Sequence, residues 1–600
     1  MHRAAVRRPI LSTTPLRSLT RRAIVAISLA LASRRALAAP RQSDSRKPPK
    51  PASSQIQITL QPARDAAGNV AAINVRYVIT DTGTAIREFR AAVVLNNLPG
   101  IADRMEQFRV TDRAGNVPLT VVDDTPDSTA TGFMRHWRVG RALALPVEVR
   151  YRAVVAPRRF RAGPPMDLRT YAGGVSGRGP GFLALPDDNR LYHILLHWDL
   201  TLLGKGAIGA SSLADGDADT EGPLSLLNAT FFMAGQLGRY PVGGNTGAFS
   251  AYWAGESPSL QMQDDMQWSS HAYDALSRFF GDTAVRPYRL FLRVLPETTT
   301  SGGNAGYRSF MIQVPLHPPV RPTGAAPSLR GVLAHEMIHG WAGGPGGGQW
   351  STEGLTTFYT AYVQLRTGLQ PVEEFVRDVN RISRDYYANP YRNASGEAAA
   401  AAFWADKNGE VLPYNRGALY FFDVDDKLRK ATGGRRTLAQ EMFDLNRRRS
   451  GGENVTVQSW IETLRGALGA AAVADFDSII VRGTKTVVLA PDAFGPCFER
   501  RIEKHVRPDF AFDRRVPEAR TVVSLVPGSA ASIAGLRNGD VVLTPLAVEV
   551  LTSPEARKLA LDITRNGMPL NIQFLSSPAL VDVYLWSRVP GVDERVCRGS

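Results

Sequence analysis

The chain has 600 residues, 44% of them hydrophobic and 21% charged, with a formal net charge of +15. That length implies several domains rather than one, and the composition is ordinary for a globular protein. Beyond the first 40 residues the basic side chains are dispersed. They form no basic stripe interleaved with aromatics, which argues against nucleic acid as a partner, and the body of the chain holds no stretch that would span a membrane.

The N-terminus is different in kind. Arg3, Arg7, Arg8, Arg17, Arg21 and Arg22 precede a short apolar run, residues 23–32, and Ala36-Leu37-Ala38 offers a small-residue cleavage site. A basic region, a short hydrophobic region and an A-x-A site predict a secretory signal peptide over residues 1–38, so the protein is expected to be exported, periplasmic or secreted. Thr20-Arg21-Arg22 also admits twin-arginine export, and Arg34-Arg35 leaves open a signal anchor or a mitochondrial-type presequence. The segment carries eight arginines and no acid, so its removal lowers the charge from +15 to about +7. Residues 39–54, rich in Pro, Ser, Arg and Lys, read as a linker.

Short alternating runs follow at 56–60, 73–79, 91–95, 108–110, 119–122 and 147–151. Their period of two predicts an antiparallel β domain over 55–230, with the Gly-, Ala-, Ser- and Asp-rich stretch 204–222 as loop. His193 and His197 lie four apart, but on a strand-like run where that spacing is too long for easy chelation. They read as structural. Strands are predicted at 231–233, 249–253, 288–295 and 307–314, and a helix at 264–280.

A helix over 328–341 carries His335-Glu336-Met337-Ile338-His339. Two histidines four apart stack on one helix face, where both imidazoles can bind one zinc ion. Glu336 leans to the side of such a metal and can take a proton from its water. A turn rich in glycine, Gly343-Gly344-Pro345-Gly346-Gly347-Gly348, ends the helix. A second helical pattern over 352–367 then carries Glu353, the candidate third ligand. The alternative for each is bland: exposed histidines on an amphipathic helix, and an acid on a surface helix.

HExxH-x-W followed by W-x-x-E-G-x-T-x-x-Y, at 335–341 and 350–359, resembles the gluzincin metallopeptidases and most of all the glycyl aminopeptidase family. The resemblance implies a thermolysin-like α+β catalytic domain with a helical subdomain, spanning 231–488, and a single zinc cofactor. It implies hydrolysis of peptide bonds in a peptide or protein substrate. The interval from His339 to Glu353 is shorter than is usual in gluzincins. The glycines of the turn, tolerating positive φ, are what a tighter return needs. Pro413-Tyr414-Asn415-Arg416-Gly417-Ala418 is similar to the family segment whose tyrosine donates to the oxyanion, which implies that role for Tyr414. The substrate-binding edge strand corresponds to Gly302-Gly303-Asn304, within residues 301–309. The family's acid, which holds the substrate's amino terminus, is absent there. Aminopeptidase action and an altered endopeptidase specificity both stay open.

Further helices are predicted at 371–388 and 413–431, with 393–410 as loop. Residues 522–543, with Pro527-Gly528-Ser529 and Ala534-Gly535-Leu536, are similar to a bacterial PDZ domain. That implies a PDZ-like domain over 489–580, a helix at 553–560, a C-terminal tail at 581–600 and a peptide ligand captured by strand addition. Its candidate carboxylate loop, 507–512, has no glycine. Cys497 and Cys597 either form one disulfide or remain two buried thiols. Against the enzyme stands a rival reading, a gluzincin fold with little catalysis that acts as a scaffold through its PDZ-like domain.

Overall fold

The protein is described by a computed structural model. It describes residues 54–599 apart from residues 81–85, 97, 126–131, 159–162, 189, 245–246, 259, 283, 285, 319–326, 404–406, 513–519, 547 and 552. The expected signal peptide and all of the linker but its last residue lie outside the described residues. Ser54 already begins a strand.

The N-terminal region is β-rich. Ser54–Arg64 buries Ile56, Ile58 and Leu60 and turns the residues between them outward, as the alternation predicts. It is central to a seven-stranded sheet. Val70–Ile79 pairs with it antiparallel on one side. Leu191–Trp198 pairs with it parallel on the other, so the sheet is mixed rather than wholly antiparallel. Two four-stranded sheets complete the region. The stretch 204–222 is not all loop, for it contains strands Ile208–Ser211 and Ala218–Pro223. Close packing hid the first of these from its hydropathy: a Cβ on Gly209 would lie 2.5 Å from the Trp198 ring. The domain boundary also moves. Phe231–Gly235 pairs with Gly174–Arg178 and Ile208–Ser211, so it belongs to the N-terminal sheets rather than to the region C-terminal of them.

The next sheet has five strands, in the order Gly238–Tyr240, Phe249–Ala254, Tyr288–Leu295, Ser309–Pro315, Gly302–Gly306. All eight residues of Tyr288–Leu295 are buried, because both faces of the strand are covered. Leu290 and Leu292 face a core shared with helix Met262–Phe279 and the helices beyond. Phe291 faces Phe231, Met233, Tyr252 and Met311 on the side of the N-terminal sheets. Arginines in the strand cross that junction with acids to meet them. Arg289 pairs with Asp215 at 2.6 Å and Arg293 with Asp167 at 3.0 Å. Gly302–Gly306 is the edge of this sheet.

Helices dominate from residue 329 to residue 476. The stretch 393–410 is not a loop. Ser395 caps a short helix, Gly396–Ala402, and the helix bearing Tyr414 begins early, at Lys407. The run of alanines there is strongly helix-forming once a cap is present.

The C-terminal region departs from the expected tail. Strand Phe498–Arg507 pairs antiparallel with Ala579–Arg588, and Cys497 is disulfide-bonded to Cys597 in the terminal helix Glu594–Gly599. This ribbon is part of the main core. Trp586 is 1% exposed, and the Asn380 side chain exchanges hydrogen bonds of 2.8 and 2.7 Å with its backbone. The segment between the two strands has a small core of its own, including Phe510, Val522, Leu536, Leu561 and Ile563. No helix occupies 553–560. Arg557–Arg565 is a strand, turning through Asn566-Gly567 into Met568–Ser576. Leu561 and Ile563 alternate inward, and Asn-Gly is the residue pair a tight hairpin needs. Among the described residues no helix is long and apolar enough to cross a membrane.

Candidate metal centre

The first helix of the site, Leu329–Ala342, starts where the Ser328 hydroxyl accepts from the Gly331 amide at 3.1 Å. It stops at Gly343, whose φ of +48° is left-handed. Leu333, Ala334, Met337 and Ile338 bury one side of it against the core and turn His335 and His339 toward the cleft. Five of the six residues 343–348, all but Pro345, have positive φ, and the chain reverses within them. The second helix, Gln349–Thr367, then returns with Glu353 in its second turn.

Glu353 Oε2 lies 3.3 Å from His335 Nε2 and 3.3 Å from His339 Nε2. The three residues are the cluster, among the described residues, able to hold a metal ion. Two nitrogens and an oxygen bound at about 2.0–2.1 Å in a tetrahedron stand about 3.3 Å apart, so the donor set and its spacing fit zinc. Burial lowers the His335 pKa, favouring the neutral imidazole that a metal requires. Burial opposes ionisation of Glu353. The adjoining His339 and His335 more than offset it and hold this carboxyl well below the usual range.

Two threonines on the second helix orient the imidazoles. Thr356 Oγ1 donates to the Thr352 carbonyl at 2.7 Å and lies 3.2 Å from His339 Nδ1. Its hydrogen is thus committed, and its oxygen accepts from Nδ1–H, which leaves the Nε2 lone pair facing the cleft. Thr360 repeats the arrangement at longer range, 2.7 Å to the Thr356 carbonyl and 3.5 Å to His335 Nδ1.

Glu336 sits beside the cluster and is 7% exposed. Burial raises its pKa to about 7, with Glu353 pushing the same way and His339 against. The edge strand passes directly over it. A Cβ on Gly303 would lie 2.4 Å from the Glu336 Cδ, so any larger residue there would displace the Glu336 side chain. Gly302 adjoins it on the strand. Asn304, next along, is not turned to the cluster. Its Oδ1 accepts from Arg178 Nη1, at the N-terminal sheets.

Tyr414 comes from the helix Lys407–Thr432, and its ring stacks on His335 at 5.8 Å. Burial raises its pKa well above the usual range, and the nearby carboxylates of Glu353, Glu410 and Glu336 add to this, keeping it a neutral donor. The helix can come so near because glycines meet at the crossing. A Cβ on Gly354 would lie 2.5 Å from Gly417 Cα.

His335, His339, Glu353, Glu336, Tyr414 and Gly303 are therefore gathered in one cleft. Thr356 and Thr360 are the site residues that sequence reasoning missed, and Arg178, which holds Asn304, was not singled out either. The T-x-x-x-T spacing one turn beyond Glu353 was a signal for the first two, since it puts both on the face of the ligand. Nothing local marks Arg178. His193 and His197 lie elsewhere, bonded to Asp219 and Asp217 on exposed sheet surface.

No family model matches the chain. No curated protein matches it either. Solved structures do. An aminopeptidase N family protein from Idiomarina loihiensis is similar over 91% of this chain and 99% of its own, with a TM-score of 0.66 at 14% identity. An M1 zinc metallopeptidase from Deinococcus radiodurans matches at 14% identity over 73% and 95% of the two chains, with a TM-score of 0.42. The leukotriene A4 hydrolase of Saccharomyces cerevisiae matches at 10% identity over 73% and 69%, with a TM-score of 0.44. Identities this low make the likeness one of fold. The chain has the multidomain architecture of the aminopeptidase N family protein, β-rich first and helical after, with a His-His-Glu cluster able to hold a metal ion.

Proposed function

We propose that the protein is an exported zinc metallopeptidase that hydrolyses peptide bonds, with His335, His339 and Glu353 as ligands. The observation that carries this is the triangle of donor atoms, two of its sides 3.3 Å, with Glu336 beside it and Tyr414 across it. Zinc held there supplies a Lewis acid with one position open to substrate and water. Glu336 accepts a proton as the attacking water's oxygen bonds to the scissile carbonyl carbon. It then delivers that proton to the leaving amine as the C–N bond breaks. Tyr414 donates to the oxyanion, where charge develops, and so favours the transition state over the ground state. Gly302 and Gly303 present the edge strand to an extended substrate.

The glycyl aminopeptidase type is the subfamily we favour, on the motif residues at 335–341 and 350–359 and the domain order. The disulfide and the N-terminal leader support export. Residues 508–578 are read as the PDZ-like module, set on a ribbon whose strands bring its two ends together. Zinc content and cleavage of a peptide library by wild type and Glu336→Gln test the proposal. Bound zinc with no Glu336-dependent cleavage would favour the scaffold reading instead.

A further inference from the structure

We propose that Arg178 determines specificity in this cleft and selects peptides that carry a carboxylate beside the scissile bond, rather than a free amino terminus. The inference rests on the peptidase reading above and names its substrate class.

Four arginines lie where the N-terminal sheets meet the five-stranded sheet. Arg169 is paired with Asp167 at 2.7 Å and Glu297 at 2.9 Å, Arg289 with Asp215, and Arg293 with Asp167. Arg178 differs. It ends strand Gly174–Arg178, and its described hydrogen-bond partners are neutral: the Asn304 side-chain oxygen, and the Asn228 carbonyl at 3.0 Å. Beneath it the Phe231 ring lies 5.5 Å from the guanidinium carbon. No carboxylate among the described residues pairs with it. Burial lowers its pKa to about 10, the mark of a charge taken from water without an acid in return, yet it stays protonated at neutral pH.

Its position gives the charge a use. Asn304 follows Gly303, and Gly303 lies on Glu336. Asn304 pairs with Met311 and turns to the face of the N-terminal sheets, so the guanidinium lies on the face of the edge strand opposite Glu336, a face toward which every second side chain of an extended substrate paired to that strand would point. Gly303 and Ala305, which share the face toward Glu336, bring no acid to hold an ammonium. On the Asn304 face a substrate amine meets a cation, whereas a substrate carboxylate supplies the partner that the three neighbouring arginines already have, in a fork geometry that suits guanidinium.

The test uses N-acetylated, C-amidated peptides of one sequence in which a single Glu, or a Gln in its place, is moved through the positions on both sides of the scissile bond. Turnover is measured with the wild type, and binding by calorimetry with the full-length Glu336→Gln protein loaded with zinc. At one position Glu is expected to exceed Gln about tenfold in kcat/KM and in affinity, the size of one charge-assisted hydrogen bond. Arg178→Met should bring that ratio to about one, Arg178→Lys should keep part of it, and Arg178→Glu should turn the preference to a Lys-bearing peptide. Equal treatment of Glu and Gln by the wild type, or an unchanged ratio in Arg178→Met, overturns the assignment. Glu-selective binding without any cleavage sinks the peptidase reading and leaves this one standing. Cleavage without selectivity does the reverse.

Discussion

Gly354 and Gly417 touch where the helix of Glu353 crosses the helix of Tyr414. A Cβ on Gly417 would lie 2.5 Å from the Trp350 carbonyl oxygen and 2.7 Å from Gly354 Cα. The obstructing atoms are backbone, so they yield only if the helices part. Gly354 follows Glu353, the proposed third ligand, and Gly417 lies one turn past Tyr414, the proposed oxyanion donor. Gly417→Ala is therefore expected to cost about 1–3 kcal/mol of stability and to lower turnover further than its loss of folded protein explains. Thermal unfolding, with kcat measured well below the transition, checks both. An unchanged Tm and kcat would mean that the crossing is not tight.

Gly303→Ala probes a different contact. Its methyl group would occupy the place of the Glu336 carboxyl group and push that proposed base aside, while the three atoms nearest to it all belong to Glu336 and none to His335, His339 or Glu353. Turnover should fall about 100-fold, the scale of an ångström of misplacement, with zinc content unchanged. Loss of zinc together with activity would show that the strand supports the ligands and not the base.

Thr356 is expected to act through His339. Thr356→Val keeps the shape and removes the acceptor for Nδ1–H. Zinc affinity, read by chelator competition, should fall about 10- to 100-fold. Thr356→Ser, which keeps the hydroxyl, should recover most of it. Equal affinity in the valine variant would leave the orientation of His339 to packing alone.

The Cys497–Cys597 bond closes a sequence separation of 100 residues and pins the terminal helix to the ribbon. Replacing Cys597 with Ser should destabilise the ribbon and terminal helix by as much as about 4–5 kcal/mol on the loop-entropy scale. Denaturant unfolding of the variant, compared with the reduced and oxidised wild type, measures this. A midpoint shared by all three would show that core residues such as Trp586 hold the ribbon without the bond.

Most of the helical half was legible from local chemistry. Ser328 and Gly343 bound the first helix because each satisfies a terminal need of the backbone, and the glycines after Gly343 announce a reversal. Strand Tyr288–Leu295 was legible as a strand-like run of Leu, Phe and Val interrupted by Arg289 and Arg293. The hidden features depend on partners distant in sequence. Gly209 is small because Trp198 fills its place, and Gly354 because Gly417 does. Residues 579–588 become a core strand only through Phe498–Arg507 and Asn380. Asn304, read as a substrate contact, is held by Arg178, which is 126 residues away. Period and spacing carry no trace of such pairings.

The central claim is that His335, His339 and Glu353 hold a zinc ion on which Glu336 acts as base. Elemental analysis and peptide cleavage, measured together on wild type, Glu336→Gln and Glu353→Gln, test it most directly. One zinc per chain and cleavage are expected in the wild type. Glu336→Gln is expected to keep one zinc and lose at least about 100-fold in cleavage, and Glu353→Gln to lose both zinc and cleavage. Cleavage that survives Glu336→Gln, or zinc retained in full by Glu353→Gln, would contradict it.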